Sequence, residues 1–307
     1  MPRPRIVIAL DPERVSPEAI ELGHALGVAT GAPLGLLAVW RWWEPVELAM
    51  IAGESLREEA DDVLHAVADR LRSRGDDVEA RVTAAASVGA GLHDAGRRGR
   101  TGLIVIGPSH HGAIGRVLVG TTAAGFLHGA PCPVAVASRE YRGPERAIDR
   151  IGVAYVDTED GRKALLAAAH VARRAGAQLR ILTVAEAGVP PESLVMPGYG
   201  VQELFAERHA NAERALARAV AVVPEDVEVD PVVLDGDPVS ALATASSALD
   251  LLICGSRGYG PLGAVMLGSV SKPLLHRAAS PLLVVPRGRE RRLESLLDDT
   301  STARSAS

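Results

Sequence analysis

Hydrophobic and polar positions along this chain alternate between two periods, one typical of strands and one typical of helices. Short apolar runs such as Leu103–Ile106 and Leu251–Cys254 are expected of central parallel strands, because such strands are covered on both faces. Longer stretches with apolar residues at helical spacing separate these runs. The strict alternation of strand and helix predicts a parallel sheet with right-handed crossovers, and therefore an α/β protein.

The same series of elements is predicted twice along the chain. Each series has five strands and four helices, and it ends on a short apolar strand. The predicted strands are 5–10, 33–39, 77–84, 102–107 and 133–137, and then 151–156, 178–184, 227–234, 250–255 and 281–285. The predicted helices are 16–30, 54–74, 88–98 and 120–129, and then 161–175, 201–222, 238–248 and 268–277.

The series recurs because the sequence is duplicated. Residues 107–137 align without a gap on residues 255–285, at a constant offset of 148, and ten positions are identical. Four of the ten are glycines, which indicates that the backbone makes the same unusual turns in both copies. Upstream, residues 16–39 match residues 161–184 at an offset of 145. The repeat is far longer than a solenoid unit of ~20–50 residues, so the duplicated unit is a whole domain.

Two domains follow from this duplication, at residues 1–139 and 148–286. Residues 138–149 are polar and form the predicted linker between them. Residues 287–307 are charged and then small and polar, which predicts a disordered tail, with a short helix over Arg292–Leu297 as the alternative for its beginning. In a chain of 307 residues, each half is large enough to bury its own core.

Composition excludes several classes of function. The formal net charge is −5, so there is no basic excess that would attract nucleic acid or an anionic membrane. No apolar run reaches the ~18 residues of a membrane span, and the N-terminus does not resemble a signal peptide. Cys132 and Cys254 do not make a disulfide framework, and Cys254 is expected in the core. We therefore expect a cytoplasmic protein without nucleic-acid or membrane partners.

A glycine-rich loop between a strand and a helix is the main candidate for chemistry. Gly255 closes a predicted strand, and Gly268 and Ser269 open the next helix. The start of a helix offers free N–H groups to an anion, and glycine lets a phosphate approach the backbone closely. A single glycine at such a turn is often only structural. The spacing places glycines at both ends of one loop, which favours an anion-binding role over a purely structural one.

Three better-known motifs match this loop only as strings. The segment 263–268 mimics a P-loop, but Ser269 stands where the phosphate-binding lysine is required. The segment 258–263 mimics a dinucleotide fingerprint, but it follows the fourth strand and no acidic residue lies about 20 residues further on. Ser269 and Lys272 have the spacing of a penicillin-binding nucleophile, but the companion motifs are missing. Nothing in the sequence assembles a nucleophile, a base and a metal site.

The spacing Gly255-x-x-Gly258-x9-Gly268-Ser269, with Asp157 at the end of the first strand, resembles the ATP-binding pattern of the universal stress protein (UspA) family. The resemblance covers both halves, at about 4–137 and 149–285. It implies two tandem doubly wound domains, each a five-stranded parallel sheet of order 3-2-1-4-5 flanked by helices. In that order the first and fourth strands are neighbours, so Asp157 and Gly255 would lie at the switch point where α/β sheets bind ligands.

The resemblance also implies a nucleotide site in the second half. By position, Asp157 would contact the adenosine, Val184 would flank the base, and Gly236 matches the family's glycine after the third strand. Two alternatives stay open: Asp157 as a helix cap or turn residue, and Arg257 as a solvated loop charge. The residues implied at the ribose and phosphates are Gly255, Arg257, Gly258, Gly268, Ser269, Val270 and Ser271.

The first half carries a degenerate copy of this site. His110 stands where Gly258 stands in the second half, and a side chain there is expected to crowd a loop that phosphate must approach closely. Gly102 replaces Asp250, and Ala86–Val88 replaces the glycine after the third strand. The corresponding nucleotide-site residues of the first half are Asp11, Val39, Gly107, Gly120 and Thr121.

The function implied by the resemblance is that of an ATP-binding regulatory protein of the stress response, with or without Mg²⁺, and not that of an enzyme beyond a weak ATPase. A slow ATP hydrolase or phosphotransferase and a scaffold that binds no nucleotide are the alternatives. Family members commonly pair through the last strand, and Pro133–Ala137 and Pro281–Val285 are short apolar edge strands that invite pairing. We therefore expect adenine nucleotide as ligand and an internal pseudo-dimer of the two halves, with a further homodimer left open.

Overall fold

The computed structural model describes residues 3–41, 46–108, 125–139, 141–143, 147–186, 201–256, 268–288 and 290–297. The strands are β1 (Arg5–Leu10), β2 (Leu34–Arg41), β3 (Val78–Ala85), β4 (Thr101–Ile106), β5 (Val134–Val136), β6 (Arg150–Ala154), β7 (Gln178–Glu186), β8 (Val229–Gly236), β9 (Leu251–Gly255) and β10 (Leu282–Val285). The helices are α1 (Pro17–Thr30), α2 (Val46–Ser73), α3 (Val88–Arg97), α4 (Glu159–Ala175), α5 (Val201–Val220), α6 (Pro238–Ser246), α7 (Ser271–Arg277) and α8 (Glu290–Leu297).

The strands form one ten-stranded sheet of order β3-β2-β1-β4-β5-β10-β9-β6-β7-β8. Each half has the predicted order 3-2-1-4-5, and every pairing within a half is parallel. The two halves meet where β5 and β10 pair in antiparallel fashion, with Val136 opposite Leu282. The predicted α/β class and doubly wound architecture are confirmed.

Helices cover both faces of the sheet, as a parallel sheet requires. One core lies under α1, α2, α4, α5 and α8, and the other lies under α3, α6 and α7. Alternate strand residues supply the two cores, so that Val153 belongs to the first and Cys254 to the second. Cys254 is buried as expected, and burial raises the pKa of its thiol to about 12. Among the residues described, no helix is long and apolar enough to cross a membrane.

The sequence fixes where the helices begin and end. Ser16 caps α1 and Thr158 caps α4, because each hydroxyl oxygen accepts a hydrogen bond from the backbone N–H three residues on. Gly31 and Gly176 end the same two helices with φ of 64° and 65°, a left-handed conformation that favours glycine. These paired signals place the starts of α1 and α4 beside the carboxyl ends of β1 and β6.

The beginning of the C-terminal tail is a docked helix, so the alternative of a short helix holds there and the expectation of disorder does not. In α8, Leu293 and Leu296 are 2% and 0% exposed and join the core shared by the two halves. Leu296 lies against Gly102 of β4, where a Cβ would overlap the leucine side chain. Arg292 donates hydrogen bonds to the carbonyl oxygens of Gly96, Arg97 and Thr101 in the first half. A segment that follows the second half therefore holds the first.

The linker lies in the second half at the place that corresponds to that of α8 in the first half. Ile148 corresponds to Leu296 at the offset of 148, and it is 1% exposed. The Asp250 carboxylate accepts hydrogen bonds of 3.0 and 2.8 Å from the backbone N–H groups of Asp149 and Arg150. The replacement of Asp250 by Gly102 in the first half thus has a structural reason: the aspartate binds the linker backbone, whereas the glycine makes room for a leucine.

Candidate functional site

The strand order creates a switch point in each half, where the connections leave in opposite directions. In the second half β6 pairs with β9, with Ala154 opposite Cys254. Asp157 and Gly255 follow these paired residues and share the carboxyl edge of the sheet, although they are nearly 100 residues apart in sequence. Crevices of this kind are where open α/β sheets bind ligands.

Asp157 is held by three side chains. Its Oδ1 accepts hydrogen bonds from the Tyr155 hydroxyl at 3.0 Å and from Arg162 Nη2 at 3.1 Å. Its Oδ2 accepts a hydrogen bond from Arg218 Nε at 2.9 Å and lies 2.7 Å from Arg218 Nη2 in an ion pair. These hydrogen bonds, above all those from Arg218, lower the pKa of Asp157 to about 2. The carboxylate is therefore ionised at neutral pH, and each of its oxygens accepts at least one hydrogen bond from within the protein.

The capping alternative for Asp157 is not realised in the structure. Thr158 caps α4 instead, since its Oγ1 accepts the Gly161 N–H at 3.0 Å. The Thr183 hydroxyl of β7 donates to the carbonyl oxygen of Tyr155 at 3.0 Å and ties the turn to the neighbouring strand. Asp157 is left to form an ionic cluster with Arg162 and Arg218, whose side chains are 52% and 58% exposed.

Val184 and Gly236 lie at the carboxyl ends of the adjacent strands. Val184 of β7 is half-buried and pairs with Leu234 of β8. Gly236 has φ of +114°, and a Cβ built there would meet nothing within 4 Å. The glycine is therefore required by the backbone and not by close packing. It leads into Asp237, which caps α6 by accepting the Ser240 N–H at 2.9 Å, a hydrogen bond that lowers the pKa of Asp237.

Two glycines of the predicted phosphate side lie in the described residues, Gly255 at the end of β9 and Gly268 before α7. A Cβ at Gly255 would lie 3.4 Å from the Cβ of Ala164 in α4. The Gly268 N–H donates to Ser271 Oγ at 2.8 Å and closes the turn that precedes α7. Ser271 is 3% exposed, and its hydroxyl can still donate its proton while its oxygen accepts this bond. Ser269 is exposed beside it, and Val270 is half-buried at the start of α7. Arg257 and Gly258 lie outside the described residues.

The first half places its corresponding residues differently. Asp11 is exposed, and its Oδ1 accepts the Glu13 N–H at 3.1 Å, so it closes a local turn. Gly107 packs against the capping residue Ser16, which a Cβ would overlap, and Val39 lies under a glycine of α3. Gly120, Thr121 and His110 lie outside the described residues. Across the described ranges, no group of three or more His, Cys, Asp or Glu residues could hold a metal ion.

The sequence did not single out the two arginines of the Asp157 cluster. Arg162 lies one turn into α4, and a local signal exists because its side chain can reach back to the residue before the helix cap. Arg218 lies 61 residues from Asp157, near the end of α5, and no sequence pattern connects them. The Tyr155 hydroxyl has a simple signal, since residues two apart in an extended segment face the same side.

The fold defines a tandem α/β protein in which each half of the sheet has a switch point between its first and fourth strands. The profile of the universal stress protein family matches residues 2–138 and 147–286. The chain therefore belongs to the universal stress protein family.

Relatives support this assignment over most of the chain. A universal stress protein of Mycobacterium tuberculosis is 29% identical over 295 residues, which cover 92% of this chain and 99% of that protein. A shorter one from Thermus aquaticus is 31% identical over 137 residues, which cover 43% of this chain and 95% of that protein. The crystal structure of a universal stress protein from Archaeoglobus fulgidus has the same fold, with a TM-score of 0.69, 21% identity, and coverage of 92% of this chain and 98% of that one.

Proposed function

We propose that this protein is an ATP-binding regulator of the stress response and that its second half carries the competent nucleotide site. The observation that carries the proposal is the pairing of β6 with β9, which brings Asp157 and Gly255 to one edge of the sheet. Family membership and the complete glycine pattern of the second half give this crevice its expected ligand. The domains that we propose are residues 1–139 and 148–286.

The charges of the second-half crevice suit a nucleotide. The ionised Asp157 is an acceptor for hydroxyl or amino groups of an adenosine, and the partly exposed Arg162 and Arg218 bring positive charge to the same edge. On the other side, Gly255 and Gly268 allow close approach, and Ser269 and Ser271 carry hydroxyl groups. Arg257, Gly258 and Val270 complete the proposed phosphate side, and Val184 and Gly236 the base side. If Mg²⁺ accompanies the ATP, phosphate oxygens would be its main ligands.

We further propose that bound ATP turns over slowly or not at all. Ser269 stands where a P-loop would supply a lysine to the phosphates. Few groups are therefore available to stabilise the negative charge of the transition state. A slow hydrolase or phosphotransferase and a scaffold without nucleotide remain the competing functions.

The two halves are proposed to act as one body, an internal pseudo-dimer in the cytoplasm. The antiparallel pairing of β5 with β10 joins the sheets, and α8 holds the first half through Arg292 and Leu296. Fusion makes this association intramolecular, which raises its effective concentration. A further homodimer stays a prediction of the sequence.

Mass spectrometry of the ligand released from freshly purified protein, followed by a turnover assay, tests the proposed function. ATP released in proportion to protein, with a turnover far below the 1–10³ s⁻¹ of typical enzymes, is the expected result. Sustained hydrolysis at such rates would establish the hydrolase instead. If no nucleotide is retained and none binds on calorimetric titration, the scaffold is correct.

A further inference from the structure

A second cleft lies away from both switch points, where the two halves meet. It has a volume of about 310 Å³ and is lined by α1, the C-terminal end of α4 and the linker. The volume is at the lower end of the range of ~300–1,000 Å³ found for small-molecule sites. None of the residues proposed to bind nucleotide lines it, so the cleft is independent of the proposed function.

Part of the lining of this cleft is apolar. Val28 of α1 is 61% exposed, the highest value among the large hydrophobic residues that the structure describes as exposed. Around it lie small side chains of α1, the linker and α4, including Ala25, Ala147 and Ala175, with Ile148 beside them. Covering this exposed valine with an apolar group lowers the free energy, because apolar surface is removed from water.

The lining of the cleft also contains three arginine side chains. Arg74, Arg142 and Arg174 line it together with one acid, Glu21. Glu21 is neutralised by Arg74, which donates to both of its oxygens at 2.8 and 3.0 Å. Arg174 is fixed at the edge by a hydrogen bond of 3.3 Å from its Nη2 to the carbonyl oxygen of Thr30. In a chain with a net charge of −5, this surface favours an anion, and guanidinium groups match carboxylate and phosphate in particular.

The pseudo-symmetric position shows what such a groove can hold. On the opposite side, α8 packs against α4 and buries Leu293 and Leu296. On the linker side, Ile148 takes the position of Leu296, and the cleft remains open next to it. The linker residues Arg142, Gly143, Ala147 and Ile148 correspond to residues of α8 at the offset of 148, and they line the cleft on this side.

We infer that the cleft between α1, α4 and the linker binds a small organic anion that has a carboxylate or phosphate head and an apolar body. The arginines would hold the head, and Val28 with the alanines would cover the body. The site would be shared by both halves, so its occupation would favour the docked arrangement by mass action.

The test uses the fluorescent aromatic sulfonate 8-anilinonaphthalene-1-sulfonate as probe, on the full chain with ATP in excess. We expect saturable binding at one site, weakened about tenfold by Arg142→Ala and about fivefold by Val28→Gln. Arg81→Ala and Val222→Gln change an exposed arginine and an exposed valine outside the cleft, and they should leave the affinity unchanged.

Competition separates the head from the body of the ligand. Octanoate should displace the probe at a lower concentration than inorganic phosphate, since only octanoate offers both groups. Equal affinities of wild type, Arg142→Ala and Val28→Gln would overturn the inference. Phosphate and octanoate competing equally would also overturn it, because the cleft would then recognise charge alone.

Discussion

The two switch points have the same strands but different electrostatics. In the second half Asp157 accepts hydrogen bonds from two arginines and a tyrosine, whereas Asp11 of the first half accepts a backbone N–H in its own turn. The sequences explain part of the difference, because Pro17 occupies the position that corresponds to Arg162. Duplication has thus preserved the backbone, which depends on many residues, while a few substitutions have changed the charge of the site.

The linker and the C-terminal tail also differ in the contacts that they make at corresponding positions of the two halves. Asp250 binds the linker backbone through its carboxylate, and Gly102 receives Leu296 of α8. One contact is polar and lies near solvent, and the other is a buried apolar contact. The contact between Gly102 and Leu296 joins the first half to the C-terminal tail, whereas the hydrogen bonds of Asp250 lie within the second half and the end of the linker.

The largest effect is expected from removing the buried contact of α8. Leu296→Ala should lower the free energy of unfolding by about 2–5 kcal/mol, the usual cost of a cavity left by a buried leucine. Urea denaturation of the full chain measures it, with Val222→Ala at a half-exposed site as a control that should change little. A loss below ~0.5 kcal/mol for Leu296→Ala would mean that α8 does not hold the halves in solution.

The next effect sharpens the comparison of the two nucleotide sites. Gly268→Val should weaken ATP binding about tenfold or more, because it crowds the turn closed by Ser271 and stiffens its backbone. Gly120→Val, the matched change in the first half, should weaken it less. Calorimetric titration of both variants decides between the halves. Equal losses, or a larger loss from Gly120→Val, would show that the proposal has placed the competent site in the wrong half.

A smaller effect is expected at Gly236, where the first half has Ala86. Gly236→Ala should cost about 1–2 kcal/mol of stability, because φ of +114° is unfavourable for a residue with a Cβ. Gly99→Ala, in a turn with no atom near the added Cβ, is the matched control and should be close to neutral. Thermal unfolding compares the two. A neutral Gly236→Ala would show that the backbone relaxes without cost at this turn.

The smallest effect concerns the pH dependence of the Asp157 cluster. With a folded pKa of about 2 against ~3.9 when unfolded, the ionised carboxylate contributes stability above pH ~4 that is lost as the pH falls towards 2. Arg218→Gln should raise this pKa and reduce that part of the acid sensitivity. Carbon-detected NMR titration of the Asp157 carboxyl follows it directly. An unchanged midpoint in Arg218→Gln would rule out Arg218 as the main cause of the shift.

The ten strands could be predicted from the sequence, and the family resemblance implied their order and thereby the edge of the sheet where the proposed site lies. The alternation of apolar runs defines ten strands, and the duplicated glycines define the domain that repeats. Because strand order determines which carboxyl ends are neighbours, Asp157 and Gly255 could be placed together before any coordinate was known. Caps such as Thr158 and turn glycines such as Gly176 are local, so their residue types were sufficient.

By itself, then, the sequence determined the α/β class, the duplication, the family resemblance and the position of the crevice, since each rests on spacing along the chain. Only the tertiary structure decided that Arg218 binds Asp157, that α8 docks on Gly102, and that a charged cleft lies between α1, α4 and the linker. These features join residues that are far apart in sequence. Periodicity reports the environment of a residue along its own element, and it carries no information on which distant side chain will fill the space beside it.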